Sequence, residues 1–528
     1  MAVNQAPTIP EAIHRRRWLI LAVLLLSVLV TVLDFSILNV ALKTLAEPKP
    51  EGLGASQSQL QWAVNAYALV VAGLLFTGGL LGDRIGRKKV LLTGMFLFGL
   101  SSALCTVADS PGQLIAYRAL MGVGGALIPV ATLALLTQVF ERSEQPRAIG
   151  IWTGVVGLSV ALGPIIGGAL LQYFWWGSVF LINVPVVAVA LVAMFILVPE
   201  SKDPRSARLD PLGVALSIAG MVLLVYGIIQ GGQAGSVTPT SVWAPFLGGV
   251  AILAAFVWWE RRIDHPSLDV TYFKNMRFTG AILAICLMSF ALFGVTFYVI
   301  FYIQTVRGYT ALETGLLMVP LAAAQIFFAP RARHVVTKFG VRATCVFALL
   351  LDAVTFFGFL LLGRTSPIWV LEVLFAMLGV AFAHITPPAT VVIMSSLPRE
   401  KAGTGSAITN VFRQGGGALG TAVLGSLLAA LYKHRVQGAL DVLTPAQRHV
   451  AVHSIEATHA VAGSGAKAEA LIRSADDAFV HAMHVTSVAA AAVAVLGAVV
   501  AMLTLPGKPR PAAEAEATPE PPKVSAEQ

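Results

Sequence analysis

GDRIGRKK, residues 82–89, places five charged residues among eight. In the whole chain only 12% of residues are charged. The segment before it reads YALVVAGLLFTGGLL (67–81), and the one after reads VLLTGMFLFGLSSALC (90–105). Two uncharged apolar runs joined by a short basic turn read as two helices crossing an apolar layer, with the turn left in water. Gly82 and Gly86 supply the tight backbone, and Arg84, Arg87, Lys88 and Lys89 hold the turn at the surface.

The rest of the chain repeats this pattern. It has 528 residues, 57% of them hydrophobic, and a mean hydropathy of +0.79, whereas soluble domains carry about a quarter charged residues. Runs of about 20 apolar residues span the roughly 30 Å hydrocarbon core as helices, because backbone in lipid must satisfy its own hydrogen bonds. Fourteen spans are expected: 18–42, 59–81, 90–108, 112–139, 148–171, 178–198, 211–230, 242–259, 278–304, 313–330, 343–362, 368–394, 404–431 and 480–504. The chain reads as an all-α polytopic membrane protein. The first run continues past the length of a secretory signal core, so it reads as an uncleaved span.

Charge placement orients it. Of 36 Lys and Arg, 25 fall on the two ends and on alternate connections, which the positive-inside rule assigns to the cytoplasm with both termini. The net charge of +9 therefore sets topology, and no nucleic-acid partner is expected. Residues 1–17 form a cytoplasmic tail and 505–528 a Pro- and Glu-rich tail expected to be disordered. Loop 432–479 is the one sizeable extramembrane element, with helical stretches.

A faint repeat divides the spans. Asp83-Arg-Ile-Gly-Arg-Lys88 and Thr337-Lys-Phe-Gly-Val-Arg342 become equivalent if residues 199–277, with two spans, are an insertion between six-span halves 18–198 and 278–504. Parallel repeats of that kind build transporters with a site at the midplane. Cys105, Cys286 and Cys345 form no metal or redox spacing, and His453, His459, His481 and His484 are too loosely arranged for a metal site. No phosphate-binding loop is present, so no cofactor is expected.

GGLLGDRIGRKK resembles the cytoplasmic loop motif of the major facilitator superfamily. LDFSILNVAL (33–42), LIAYRALMGVGGALIPV (114–130) and GLSVALGPIIGG (157–168) match further motifs, the last similar to an antiporter motif. WWGSVFLINVPVV (175–187), YIQTVRGYTALETGLLMVP (302–320), AGTGSAITNVFRQGGGALG (402–420) and SADDAFV (474–480) extend the resemblance over about residues 15–505. Together they resemble the fourteen-span drug:proton antiporter family, in particular its QacA-like multidrug and quaternary-ammonium exporter branch. That implies the major facilitator fold, two six-helix halves plus two inserted helices, in a bacterial cell membrane and functional as a monomer. It also implies exchange of lipophilic, cationic drugs or antiseptics for protons. Two departures stand out: Lys43 where the family has Pro, and Gln325, Thr409 and Asn410 where the branch has carboxylates.

Asp34 is a carboxylate inside the first span, costing about 2.5–3.5 kcal/mol there, and is expected to face a cavity or a partner. It is the candidate proton carrier, against a purely structural hydrogen bond. The resemblance gives Arg118 a coupling role, against an arginine reaching back to the membrane surface. Gly82, Asp83, Arg84, Gly86, Arg87 and Lys88 form a candidate conformational latch, with Asp83 at a helix end across the half-interface. Gly157, Gly163, Pro164, Gly167 and Gly168 form the antiporter motif, against ordinary close helix packing. Substrate-pocket candidates are Trp62, Asn65, Tyr67, Gln325, Asn410, Arg413 and the stripe Phe290, Phe293, Phe297 and Phe301, against core or lipid-facing roles. Export of an endogenous product is the rival within transporters; a channel or an embedded enzyme is the rival outside them.

Overall fold

The computed structural model describes residues 11–141, 144–202, 210–234, 239–263, 268–397, 402–452 and 454–507. His453, most of the C-terminal tail and the first ten residues lie outside the described residues. Among the described residues there are eighteen α-helices and no strand. They are α1 (Glu11–Ala46), α2 (Gln57–Ile85), α3 (Arg87–Thr106), α4 (Pro111–Val139), α5 (Gln145–Tyr173), α6 (Ser178–Leu181) and α7 (Asn183–Leu197). The two next, α8 (Pro211–Ala234) and α9 (Thr240–Glu260), form a hairpin. The remainder are α10 (Met276–Phe301), α11 (Ala311–Leu317), α12 (Val319–Phe339), α13 (Val341–Gly358), α14 (Ile368–Ser395), α15 (Ala402–Val436), α16 (Pro445–Ala451), α17 (Ile455–Val461) and α18 (Ala466–Thr504).

Each of the fourteen expected spans falls on helix, but the count by length and hydropathy is lower. Among the described residues, twelve helices are long and apolar enough to cross a membrane, or thirteen if α2, bent by 51° between Leu75 and Thr77, is one span. The expected span 148–171 lies within the continuous 29-residue helix α5. The last span also begins earlier than expected. Its helix runs back through the Ala-rich stretch 466–479, a strong helix former, so loop 432–479 is largely helical.

Helices α1 to α7 pack mainly on one another, as do α10 to α15 with α18. Contacts between the groups run chiefly through α2 with α15, α5 with α11 and α12, and α1 with α10. The α8–α9 hairpin leans by α8 on α2 and α15 and leaves its remaining surface at the rim. Small residues permit these approaches. A Cβ on Gly232 would stand 2.5 Å from that of Ser426 in α15, and one on Gly249 would stand 2.5 Å from Leu224 N.

The two loops of the sequence repeat adopt the same backbone. Gly86 and Gly340 each stand alone between two helices, at φ 121° and 86°. Each donates its N–H to the carbonyl four residues back, Gly82 and Val336 respectively. Each loop is then tied to the chain leaving its own helix group: Arg87 N donates to Ser201 O, and Arg342 N donates to Pro506 O. Only glycine adopts such φ values without strain. A weak six-residue similarity thus reflects one backbone requirement met twice.

Candidate functional site: a buried charge pair beside the central cavity

Asp34 and Arg118 meet at the centre of the first helix group. Arg118 Nη1 donates to Asp34 Oδ2 at 2.6 Å, and the two side chains are 0% and 1% exposed. Arg118 therefore does not reach back to the surface. Its Nε donates to Ala63 O (3.3 Å), its guanidinium lies 4.6 Å from the Tyr67 ring, and its Nη2 has no hydrogen-bond partner among the described residues. The other carboxylate oxygen, Asp34 Oδ1, accepts from Asn183 Nδ2 at 3.0 Å. That amide also donates to Ser102 Oγ, whose hydroxyl is anchored on Phe180 O at 2.8 Å. Four helices, α1, α3, α4 and α7, thus hold one carboxylate. Asn183 and Ser102 were not singled out in the sequence, although a lone amide inside an apolar span was the available signal.

A narrow cavity opens one side chain away. Phe35 and Asn39 of α1 and Asn65 of α2 face Phe293 of α10 and Gln414 and Thr421 of α15 across it. The rings of Phe35 and Phe293 are 5.3 Å apart. Asn65 is fully buried with neither amide atom partnered, a cost of about 1–3 kcal/mol per group unless a ligand or water meets it.

The other pocket candidates disperse. Phe297 and Phe301 meet edge-to-face in the core, and Phe290 presents its backbone to Gly420. Only Phe293 of that stripe lines the cavity. Tyr67 lies between Arg118 and Phe35, its ring 6.2 Å from that of Phe35. Trp62 stacks on Tyr226 of α8. Arg413 Nη2 donates to Asn410 Oδ1 one turn away (2.9 Å), and Gln325 on α12 is half-buried and does not line the cavity.

The antiporter-motif glycines pack on α1 beside Asp34 and on α11. A Cβ on Gly163 would lie 2.3 Å from Ser36 Cβ and 3.2 Å from Leu33 O. On Gly167 it would meet Ile37, and on Gly168 it would stand 2.4 Å from Ala311 O. In return, a Cβ on Gly315 of α11 would lie 2.2 Å from Pro164 O. The surroundings of Gly157 lie outside the described residues. Where the motif is described, its spacing serves the junction of the two helix groups at one face of the bundle.

The same face carries a second clasp. Lys43 Nζ donates to Gln304 O at 3.1 Å, and Gln304 Nε2 donates back to Val40 O at 3.1 Å. Gln304 sits in a π-helical turn, Tyr302–Val306, which frees carbonyls from the helix ladder. Next to it Thr305 donates to Glu456 of α17, whose carboxyl is pushed above its usual range by burial. Lys43 stands where the family pattern has Pro. A hydrogen bond from a charged group contributes about 1.5–3 kcal/mol, so Lys43→Ala is expected to loosen this face about tenfold or more. Spin labels at positions 51 and 438 should then report a new population at longer distance.

At the opposite face, Asp83 accepts from its own Arg87, Nε at 2.9 Å and Nη2 at 2.7 Å. Among the described residues Asp83 has no hydrogen bond or ion pair to the second helix group. Lys88 N donates to Glu200, and Lys88 Nζ donates to Phe195 O, both contacts within the first group.

A bundle of membrane-crossing helices in two groups, with a buried charge pair and a cavity between them, is the build of a membrane transporter. The Major Facilitator Superfamily profile matches residues 24–421, and the chain belongs to that family. It is 35% identical over 489 residues to the multidrug efflux pump LfrA of Mycolicibacterium smegmatis, covering 92% of this chain and 95% of that one. It is 34% identical to the tetracenomycin C resistance and export protein of Streptomyces glaucescens (80% and 78% covered). It is 32% identical to the methyl viologen resistance protein SmvA of Salmonella typhimurium (80% and 84% covered). Among solved structures, a bacterial homologue of the human lysosomal transporter Spinster aligns over 94% of this chain and 99% of its own. Its TM-score is 0.62 at 18% identity, a likeness of fold.

Proposed function

We propose that the chain exports lipophilic, cationic drugs across a bacterial cell membrane in exchange for protons, by alternating access between its two helix groups. The observation that carries this reading is the buried Asp34–Arg118 pair next to a cavity walled by both groups. While Asp34 is ionised, the pair is neutral. A proton arriving on Asp34 removes that neutrality and leaves the Arg118 charge uncompensated. At roughly 10 Å from the cavity, through a medium of effective dielectric about 20, that charge repels a monovalent cation by about 1.7 kcal/mol. Proton and cationic substrate then exclude each other without touching the same atom, which is the requirement for exchange.

The face clasped by Lys43 and the α5–α11 glycines is the outer one in this reading, and both termini are cytoplasmic. Rocking breaks that clasp and brings the 82–89 loop into contact with the second group, so the loop acts as the latch of the other state. A drug-sized ligand needs a pocket of about 300–1,000 Å³, so the narrow cavity must widen as the groups separate. The membrane lipid is the solvent of the rim, and one chain suffices for the cycle.

Inside-out vesicles with an imposed proton gradient test this. Ethidium uptake and lumenal pH are followed together. Wild type is expected to take up ethidium with proton release, and Asp34→Asn is expected to do neither. If wild type takes up no lipophilic cation but exchanges protons for an extract of the producing cell, the rival reading stands. The resemblance to a resistance and export protein for one antibiotic favours that rival.

A further inference from the structure

Asp352 is a carboxylate enclosed deep within a span, and nothing above uses it. It lies on α13, 3% exposed, and no hydrogen bond or ion pair to it occurs among the described residues. At 1.5 Å per residue it stands roughly 16 Å from the start of α13, near the middle of a hydrocarbon core of about 30 Å.

Its neighbours follow from the helix register. Leu349 meets Gly497 of α18, and His484 Nε2 of α18 donates to Leu362 O at 2.8 Å. The two helices are antiparallel, so both contacts place Asp352 opposite Ala494. Around that level α18 presents Ala490, Ala491 and Ala494, which offer no donor. Apart from His384, the titratable groups on helices packed against α13 stand at other levels. Asp476, Asp477, His481 and His484 lie toward one end of α18, Arg277 at the start of α10, and Arg331, Arg333, His334 and Lys338 at the end of α12. On α14, Glu372 is near the helix start. His384 is one turn from Asp352 by the Gly358–Leu374 contact, with its Nδ1 on Val380 O at 2.8 Å.

The contrast with Asp34 is chemical. Asp34 has an arginine and an amide to hold its charge, whereas Asp352 has neither. An ionised carboxylate without partners in this layer is costly, by about 2.5–3.5 kcal/mol even on insertion scales. A hydrophobic residue would serve packing at this site without that cost. We propose that Asp352 is a second proton-binding carboxylate, loaded in this conformation and emptied when the second helix group repacks. The step is proton binding and release only: an O–H bond forms at the carboxylate from one face and breaks toward the other.

This inference rests on the proton-exchange reading, and its test separates the two. The readout is the steady-state drug gradient against the imposed pH gradient in vesicles, where each coupled proton contributes about tenfold per pH unit. Wild type is expected to show a slope of two and Asp352→Asn a slope of one, with substrate affinity unchanged. Asp352→Glu is expected to restore two. A wild type with no coupling overturns the proposed function. A wild type that couples, with the same slope in Asp352→Asn, overturns only the role of Asp352. If Asp352→Asn does not reach the membrane, infrared difference spectra of wild type and Asp352→Glu decide. A protonated carboxyl band that bleaches as substrate binds and shifts in Asp352→Glu supports the proposal, and no such shift overturns it.

Discussion

Arg118→Ala is expected to lose coupled export entirely and to lower stability by about 3–5 kcal/mol, the usual consequence of leaving one member of a buried ion pair behind. The remaining charge on Asp34 would keep a single donor, Asn183 Nδ2. Removing both charges distinguishes this cause from lost packing. The double variant Asp34→Asn, Arg118→Ala is expected to regain part of the stability, because no uncompensated charge remains, with a coupling energy of about 0.5–3 kcal/mol in the cycle. It should regain none of the exchange. Thermal unfolding in detergent, measured with ethidium uptake on the same preparations, checks both. Equal stability of the single and double variants would mean that Arg118 acts by packing on Tyr67 rather than by charge.

Gly168→Val carries the second large effect. Even a Cβ at this position would lie 2.4 Å from Ala311 O and 2.6 Å from Leu312 Cα. Both are backbone positions and cannot rotate away, as a flexible side chain could. The α5–α11 junction should therefore fail to close, holding the transporter open at the face where Lys43 meets Gln304. Export is expected to fall at least 100-fold while the protein remains folded. A cysteine placed at Thr421, on the cavity wall, should then react faster with a membrane-impermeant thiol reagent added from that face. Cys105 and Cys345 are buried and Cys286 is only part-exposed, which keeps the background low. Normal transport by Gly168→Val would show that this junction does not have to close.

Much of the fold was legible before any coordinate. Whether a segment enters a membrane depends on the summed transfer energy of about 20 consecutive residues, a property readable in one dimension. The spans follow from it, and so does the sidedness expected from Lys and Arg. Asp34 and Arg118 stood out for the same reason, since a charge inside such a run is costly wherever it points. Gly86 and Gly340 were visible because a reversal between two adjacent helices needs a positive φ.

Partners were not legible, and the reason is physical. In a soluble helix the polar face betrays which side is buried, but lipid is as apolar as a protein interior, so that periodicity fades. The sequence could not divide Phe290, Phe293, Phe297 and Phe301 between core and cavity. Nor could it pair Lys43 with Gln304, 261 residues away, or join Asn183 and Ser102 to Asp34. Asp352 shows the limit most plainly: it was not singled out from the sequence, and only the packing of α18 against α13 decides that no described residue neutralises it. Composition and local hydropathy determined the membrane helices, their order and the charges inside them. Tertiary structure alone decided which of those charges found a partner, because the contacts that supply one are made by side chains from distant helices across a surface with no polar pattern to mark it.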